Sequence, residues 1–428
     1  MGTRVEDTAA LPRSGAHSAS PSANTSEFLD ALFRSIEDAG LPYAIMRNFE
    51  GLPQVKPGND IDVMVMPADR LRHRQLLCMA ARMSGWTLVY AVSRVHLDVF
   101  KVASLRPATG QWPTIVHLDY FPGDAWHYAP IMAAEEALAR RVAYGSIHAL
   151  SPIDSVLTAI LHHLLWSGAV GKAAYLERAS ELSRTDFDEM EARLTSIAGP
   201  RLASRMMDAI RKGDSVSLVA MHRRLRVVLG LKSVLRSPGG TTGRCLELLL
   251  QELRQVLHPP GAFIGMWLGE RGRTSGLVEE ILSWACQLDR YNHCFPDRHL
   301  DNIITSPHPF YERAVRDAYC LGDGALEVSR ALSTIRRFRR RGKLVLWNCT
   351  GVGIAAPAVR SLDGCVFLHD GHNSPAQAAL AACLASRGKS VLHLDGSQGE
   401  GHAVAAALCA LLRQHGLQAG YISREETC

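Results

Sequence analysis

Two aspartates one residue apart, within Gly58-Asn59-Asp60-Ile61-Asp62-Val63-Met64-Val65, are the feature of this chain that most strongly implies chemistry. In a strand, alternate side chains share a face, so Asp60 and Asp62 point one way while Ile61 and Val63 point to the core. Carboxylates this close repel each other unless a cation lies between them. Their hard oxygens suit Mg²⁺ (or Mn²⁺), ions that also grip a triphosphate. Gly58 lets a phosphate tail approach the backbone. Phosphoryl chemistry of this kind uses a further carboxylate from a neighbouring strand to hold a second metal and help the acceptor oxygen attack. Two strands offer one: His96-Leu97-Asp98-Val99-Phe100 and His117-Leu118-Asp119-Tyr120-Phe121. Asp119 is preferred, because its compact apolar strand stops at Pro122-Gly123; Asp98 stands as the alternative. The expected catalytic and metal-ligating set is therefore Asp60, Asp62 and Asp119. An isolated pair of this kind also fits a merely solvated strand face.

The elements that must hold these residues read as a small α/β unit. Apolar residues at helical spacing predict a helix over Glu27–Ala39, capped by Ser26 and stopped by Gly40. Short apolar runs predict strands at Tyr43–Met46 and Ile61–Met66, joined by a loop containing Gly51, Pro53, Pro57 and Gly58. A helix over Asp69–Ser84 and strands over Thr87–Ala103 and Thr114–Phe121 come next, the last two forming a hairpin across Arg106–Pro113. Residues 1–25, rich in Ser, Ala, Pro and Thr, read as a disordered tail. Ser151, with Pro152 at the first helical position, opens an all-α region. Its helices are predicted at 153–166, 172–183, 187–197, 200–211, 215–230 and 243–256. Past His258-Pro259-Pro260-Gly261 the grammar becomes alternating strand and helix, which predicts a parallel sheet with crossover helices. Its strands are expected at 263–268, 343–347, 364–369 and 390–394, its helices at 277–287, 325–341, 375–387 and 400–415. The fold class is thus α/β multidomain: a tail (1–25), an α/β domain (26–150), an all-α domain (151–256) and a parallel-sheet domain (257–428).

Residues 259–276 set a glycine loop between a strand and a helix, the right place for a phosphate loop. The working pattern G-x-x-x-x-G-K-[ST] places a lysine on the β and γ phosphates and a hydroxyl on magnesium. From Gly269 the chain gives Glu270, Arg271, Gly272 and Arg273. Thr274 then stands in place of the second glycine, Ser275 in place of lysine and Gly276 in place of the hydroxyl. The framework is present and the chemistry is absent, so a degenerate loop is expected. Arg336 to Lys343 form a basic cluster, read first as a solvated helix end. His162 and His163 lie on an apolar helix and read as packed histidines. Cys286, His293, Cys294 and His299 fit no usual zinc spacing.

The chain has 428 residues, 47% hydrophobic and 21% charged, an ordinary globular balance. A formal charge of +5 is too mild to argue for nucleic acid as the partner. No secretory signal is seen, no apolar run reaches the roughly 18–20 residues of a membrane span, and the ten cysteines show no disulfide-like spacing. Cytoplasmic residence is the expectation.

On Tyr43–Pro53, Gly58–Val65 and Val116–Phe121 the chain resembles the nucleotidyltransferase superfamily, in particular the branch found in bacterial polysaccharide-synthesis loci. The resemblance covers roughly residues 40–121. It implies that Asp60 and Asp62 ligate metal, that Asp119 completes the set, and that Arg47 lies near nucleotide phosphates. Arg47-Asn48 stands where that family often has a Gly-Ser or Gly-Gly pair. Asn48, Gly58 and Asn59 join Arg47 as expected nucleotide-binding residues, and Lys172 and Tyr175 match a Lys and Tyr that reach base or phosphate in related proteins. Residues 257–415 resemble the thymidylate-kinase-like domain often fused behind such proteins, with Asn348 and Cys349 in place of its Asp-Arg pair. The resemblance implies transfer of an NMP from an NTP, with ATP as first choice, to a small-molecule, saccharide or protein acceptor. Two other functions stay open: a nucleotide-binding regulatory pseudoenzyme, and a P-loop kinase with an atypical loop.

Overall fold

The computed structural model describes residues 23–53, 60–104, 112–127, 129–259, 262–267, 345–348, 357–369, 374–395, 400–418 and 421–422, with isolated positions at 281, 284 and between 332 and 340. Helix α1 (Ala23–Asp38) leads to β1 (Tyr43–Ile45) and β2 (Asp60–Val65). A 3₁₀ turn at Pro67–Asp69 enters α2 (Arg70–Met83), followed by β3 (Trp86–Ser93), β4 (Asp98–Ser104) and β5 (Ile115–Phe121). Then come a small hairpin, β6 (Asp124–Trp126) and β7 (Ala129–Met132), the short helix α3 (Ala134–Ala139), and β8 (Val142–Tyr144) with β9 (Ile147–Ala149). The main strands form one sheet in the order β3-β4-β5-β2-β1-β9-β8. Its β2–β5 and β1–β9 neighbours are parallel and its other pairs antiparallel.

The two faces of this sheet differ. On one, Phe28, Leu29, Leu32 and Ile36 of α1 and Leu77 of α2 pack against Ile61, Val63, Leu118 and Tyr120. Each such burial is worth roughly 1.5–3 kcal/mol. The other face carries Met64, Val99 and Phe121, covered by Ala134, Ala137 and Leu138 of α3, and it also carries the alternate positions Asp60 and Asp62 of β2 and Asp119 of β5.

Six helices come next: α4 (Pro152–Ser167), α5 (Ala173–Thr185), α6 (Phe187–Ala198), α7 (Pro200–Arg211), α8 (Ser215–Arg236) and α9 (Pro238–Leu257). The Ser151 side chain caps α4 by accepting from the Asp154 amide at 3.2 Å. Asp154 is fully buried and accepts two hydrogen bonds from Arg140 at 3.0 and 3.2 Å, which ties α4 to the end of α3. In the rear portion β10 (Phe263–Trp267), β11 (Val345–Asn348), β12 (Gly364–His369) and β13 (Ser390–Asp395) form a sheet in the order β11-β10-β12-β13, every pair parallel. Helices α10 (Pro357–Ser361), α11 (Pro375–Ala385) and α12 (Glu400–Gln418) accompany it. The two sheets share a core: Val89, Ala103 and Ile115 pack with Ile264, Met266, Val404 and Leu408. The Trp284 indole donates to the Pro113 carbonyl at 2.8 Å across the same seam.

Several expectations need correcting. Helix α1 begins at Ala23, so Ser26 lies inside it and is not its cap, and the tail expected over 1–25 cannot extend past residue 22. The run Thr87–Ala103 is two strands, because the chain turns at Arg94–Leu97, where backbone bonds close a tight loop. Helix α8 continues to Arg236 and α9 starts at Pro238, since proline is accommodated at a first helical position. The elements of 124–149 had no sequence expectation; each is three to six residues long, too short to show a period. The loop positions Gly269, Arg271, Gly272, Arg273, Thr274 and Ser275 lie outside the described residues, as do Gly58, Asn59, Cys349, His293, Cys294 and His299. Among the described residues no helix is long and apolar enough to cross a membrane.

Gly123 turns the chain from β5 into β6 with φ at +93°, and an added Cβ would meet the Met132 carbonyl oxygen at 2.9 Å and the Ala134 nitrogen at 3.2 Å. Both neighbours are backbone and cannot yield. Gly123→Ala is expected to destabilise the protein by about 2–3 kcal/mol, read as a lower urea midpoint; an unchanged midpoint would contradict this turn geometry.

Candidate metal centre

Register brings the carboxylates together. Strands β2 and β5 run parallel with Asp62 opposite Asp119 and Asp60 opposite His117. One oxygen from each of Asp60, Asp62 and Asp119 lies within 4.8 Å of the others. Asp62 and Asp119 are almost fully buried, at 1% and 6% exposure, and Asp60 is half-buried. Along β5 the residues on this face are Ile115, His117, Asp119 and Phe121. The first belongs to the core shared with the rear sheet and the last to the core under α3, so the charged pair sits between two apolar regions.

Burial of three acids demands compensation, and the chain supplies part of it. Arg47, which follows the end of β1, donates from Nε to Asp62 Oδ2. Burial opposes the Arg47 charge, yet the Asp62 carboxylate, with Asp60 beyond it, holds the guanidinium protonated more firmly than in water. His117 Nε2 lies 2.9 Å from Asp119 Oδ1. Lys101 of β4 is opposite His117 on the third strand, so Lys101, His117 and Asp60 form one row across the sheet, and Val99, Asp119 and Asp62 form the next. The Lys101 ammonium lies over the Tyr90 ring, 5.1 Å from its centre. Sequence reasoning missed both Lys101 and His117. The available signal was a polar side chain at the acid-face position of an otherwise apolar strand.

The donor set fits a divalent cation. Asp62 Oδ1 is buried and has no hydrogen-bond partner among the described residues, although Oδ2 is taken by Arg47. A buried anionic oxygen left in this state is costly unless an ion meets it. Three carboxylates are the hard oxygen ligands that such an ion prefers.

Asp98 has a different role. It is opposite Tyr120, on the far face from Asp119. Arg70 grips both of its oxygens, with Nε at 2.8 Å, and also donates to the Arg94 carbonyl at 2.7 Å. This is a structural ion pair closing the β3–β4 turn.

The helical region reaches the rim of the centre. Tyr175 donates from its hydroxyl to Asn48 Oδ1 at 3.5 Å, and the Lys172 ammonium lies 5.8 Å from the centre of the Tyr175 ring. Arg178 pairs with Glu50 at 3.0 Å. Asn48 itself adopts φ of +56°, a left-handed conformation that asparagine tolerates better than most residues. Arg47, Asn48, Lys172 and Tyr175 are thus neighbours at one edge of the acid cluster. His163 stacks on Tyr175 with ring centres 6.1 Å apart, and His162 meets Phe121 edge-on at 6.4 Å, so both histidines pack as expected. Of the basic cluster, Arg339 pairs with Asp363 at 2.7 Å and is not a solvated end.

Burial first, then the Asp62 and Asp119 charges, push the Asp60 carboxyl up to about 6. Without metal, the folded chain therefore holds this proton more tightly than the unfolded chain does. That stabilisation is present below the ordinary carboxylate value of 3.8 and is lost as the pH climbs through about 6. A divalent cation takes the proton's place, so its stabilising effect is expected to grow across that window. Thermal midpoints with and without Mg²⁺ at about pH 4.5 and about pH 7 check this; equal metal shifts at both pH values would refute it. Asp98→Asn is expected to cost about 3 kcal/mol in urea unfolding without weakening Mn²⁺ binding. Asp119→Asn should do the reverse, lowering Mn²⁺ affinity at least about tenfold by calorimetry with little loss of stability.

No protein-family model matches the chain, and no curated protein matches it significantly. Among solved structures, JHP933 from Helicobacter pylori is similar at a TM-score of 0.25 and 11% identity, over 50% of this chain and 97% of its own. A second Helicobacter pylori protein, described provisionally as a nucleotidyltransferase, is similar at a TM-score of 0.25 and 12% identity, over 48% of this chain and 96% of its own. Likeness at this level carries no functional weight; the carboxylate geometry does.

Proposed function

We propose that the chain is a metal-dependent nucleotidyltransferase that moves an NMP from an NTP to a hydroxyl or phosphate acceptor. The single observation behind this reading is the convergence of Asp60, Asp62 and Asp119 on adjacent parallel strands, with oxygens within 4.8 Å of one another. Asp60 and Asp62, with Asp119 completing the set, would hold Mg²⁺ (or Mn²⁺), which when bound would neutralise charge on the triphosphate and polarise its α-phosphorus. Asp119 takes the proton from the acceptor as its oxygen forms the new bond to that phosphorus and pyrophosphate leaves. His117 Nε2 stands 2.9 Å from Asp119 Oδ1, beside this base. Arg47, anchored on Asp62, faces the phosphates, and Asn48, Lys172 and Tyr175 line the entry for the nucleotide, with ATP as the donor. The rear sheet acts as a scaffold that has given up phosphate-loop chemistry. A role in surface-polysaccharide synthesis follows from the sequence resemblance.

Transfer of label from α-labelled ATP to an acceptor in a host-cell extract, with Mg²⁺ or Mn²⁺, tests the reading. Each of Asp60→Asn and Asp62→Asn removes several kcal/mol of charge stabilisation and is expected to lower transfer at least about 100-fold. Arg271→Ala should leave it within about threefold. Transfer of γ-label but not of α-label, lost in Arg271→Ala, would point instead to a P-loop kinase. ATP binding with no transfer to any acceptor would point to a regulatory pseudoenzyme.

A further inference from the structure

Helix α9 carries a row of large apolar side chains that no described residue covers: Leu246, Leu249, Leu250, Leu253, Val256 and Leu257 are 44–67% exposed. Their spacing of three and four residues places them on one stripe of the helix. The helix cannot rotate to bury that stripe, because its other side is fixed. Gln251 Oε1 accepts from the Val95 amide at 3.1 Å, and Thr241 donates to the Ser233 carbonyl at 2.9 Å and is buried, as is Gln255. On the neighbouring helix α8, Leu231 and Leu235 are 59% and 80% exposed. We infer that this face joins two copies of the chain through α9.

Three observations favour a second copy as the occupant. The stripe repeats with heptad-like spacing, Leu246 to Leu253 and Leu249 to Val256, so a helix of the same spacing fits it. A twofold axis near Gln251 sets Leu246 toward Leu257 of the partner subunit and Leu250 toward Leu253 of the partner subunit, so the row is self-complementary. The area is also right. At these exposures the six side chains offer on the order of 600 Å², and Leu231 with Leu235 brings the total near the roughly 800 Å² per partner of a stable interface. A typical monomer leaves no patch of this size and chemistry open. The charges of α9, Arg244, Glu247, Glu252 and Arg254, cancel. An anionic membrane surface calls for a basic flank; α9 itself is neutral and the basic residues Arg223, Arg224, Arg226, Lys232 and Arg236 lie on α8, so vesicle binding is one outcome of the test.

The full-length chain should sediment near twice 46.8 kDa at about 50 µM. The double variant Leu249→Glu with Leu253→Glu should sediment as a monomer at that concentration, with its dissociation constant raised at least about 100-fold. Because both leucines are exposed, its circular dichroism and its Mn²⁺ binding should match the parent, which separates failure of this proposal from failure of the metal-centre reading. A monomeric parent would overturn the inference, as would a dimer that the double variant leaves intact. So would a parent that stays monomeric and cosediments with phosphatidylserine vesicles, or a double variant that unfolds, which would mean that another part of the same chain covers the row.

Discussion

Carboxylates from two neighbouring parallel strands are held almost out of water, side by side, and much of the architecture answers to that. Like charges in a low-dielectric setting repel strongly, so the β2–β5 register that sets Asp62 against Asp119 is tolerable only with positive charge at hand. The chain provides Arg47 on Asp62 and Lys101 two strands away on the same face, with the His117 imidazole beside Asp119. Even so, Asp62 keeps one buried oxygen with no hydrogen-bond partner among the described residues, and Asp60 holds its proton to about 6. The protein's own cations thus leave charge uncompensated, which is the condition under which a divalent ion binds with gain.

That concentration of charge is sustained because everything around it is apolar and braced. The opposite face of the sheet is sealed by α1 and α2. On the acid face, α3 closes over Phe121 at one end, and the core shared with the rear sheet closes over Ile115 at the other. The rear portion also grips the first sheet elsewhere, through the Arg74 guanidinium on the Tyr421 carbonyl at 2.7 Å and through Ile422 in the α1–α2 core. The rear portion therefore contributes to the buried clusters on both faces of the first sheet.

Asp98 and Asp119 illustrate how little separates a member of the acid cluster from a structural anion. Both follow a histidine by two residues, in strands of similar composition. Asp119 is opposite Val99 and Asp98 opposite Tyr120, so the two carboxylates project from opposite faces. One joins the acid cluster, and the other is gripped by Arg70. A strand has a period of two, so a single-residue difference in parity changes the chemistry completely.

Much was legible in the sequence, because local rules set it. Alternation placed Asp60 and Asp62 on one face, Pro152 and Ser151 marked the start of α4, and short apolar runs located all four rear strands and implied their parallel pairing. The six helices of the middle region were also readable, since each repeats its pattern for three turns or more. What remained hidden depended on partners distant in the chain. Asp119 is the preferred third carboxylate from sequence, but register between strands decides it over Asp98 and sets Lys101 and His117 in the neighbouring row, while packing puts Arg47 on Asp62 and joins the two sheets in one core. Side-chain type and spacing fix which way a residue faces within its own element. Only the packed tertiary structure decides what it faces, because pairing energy lies in contacts between segments that lie far apart along the chain.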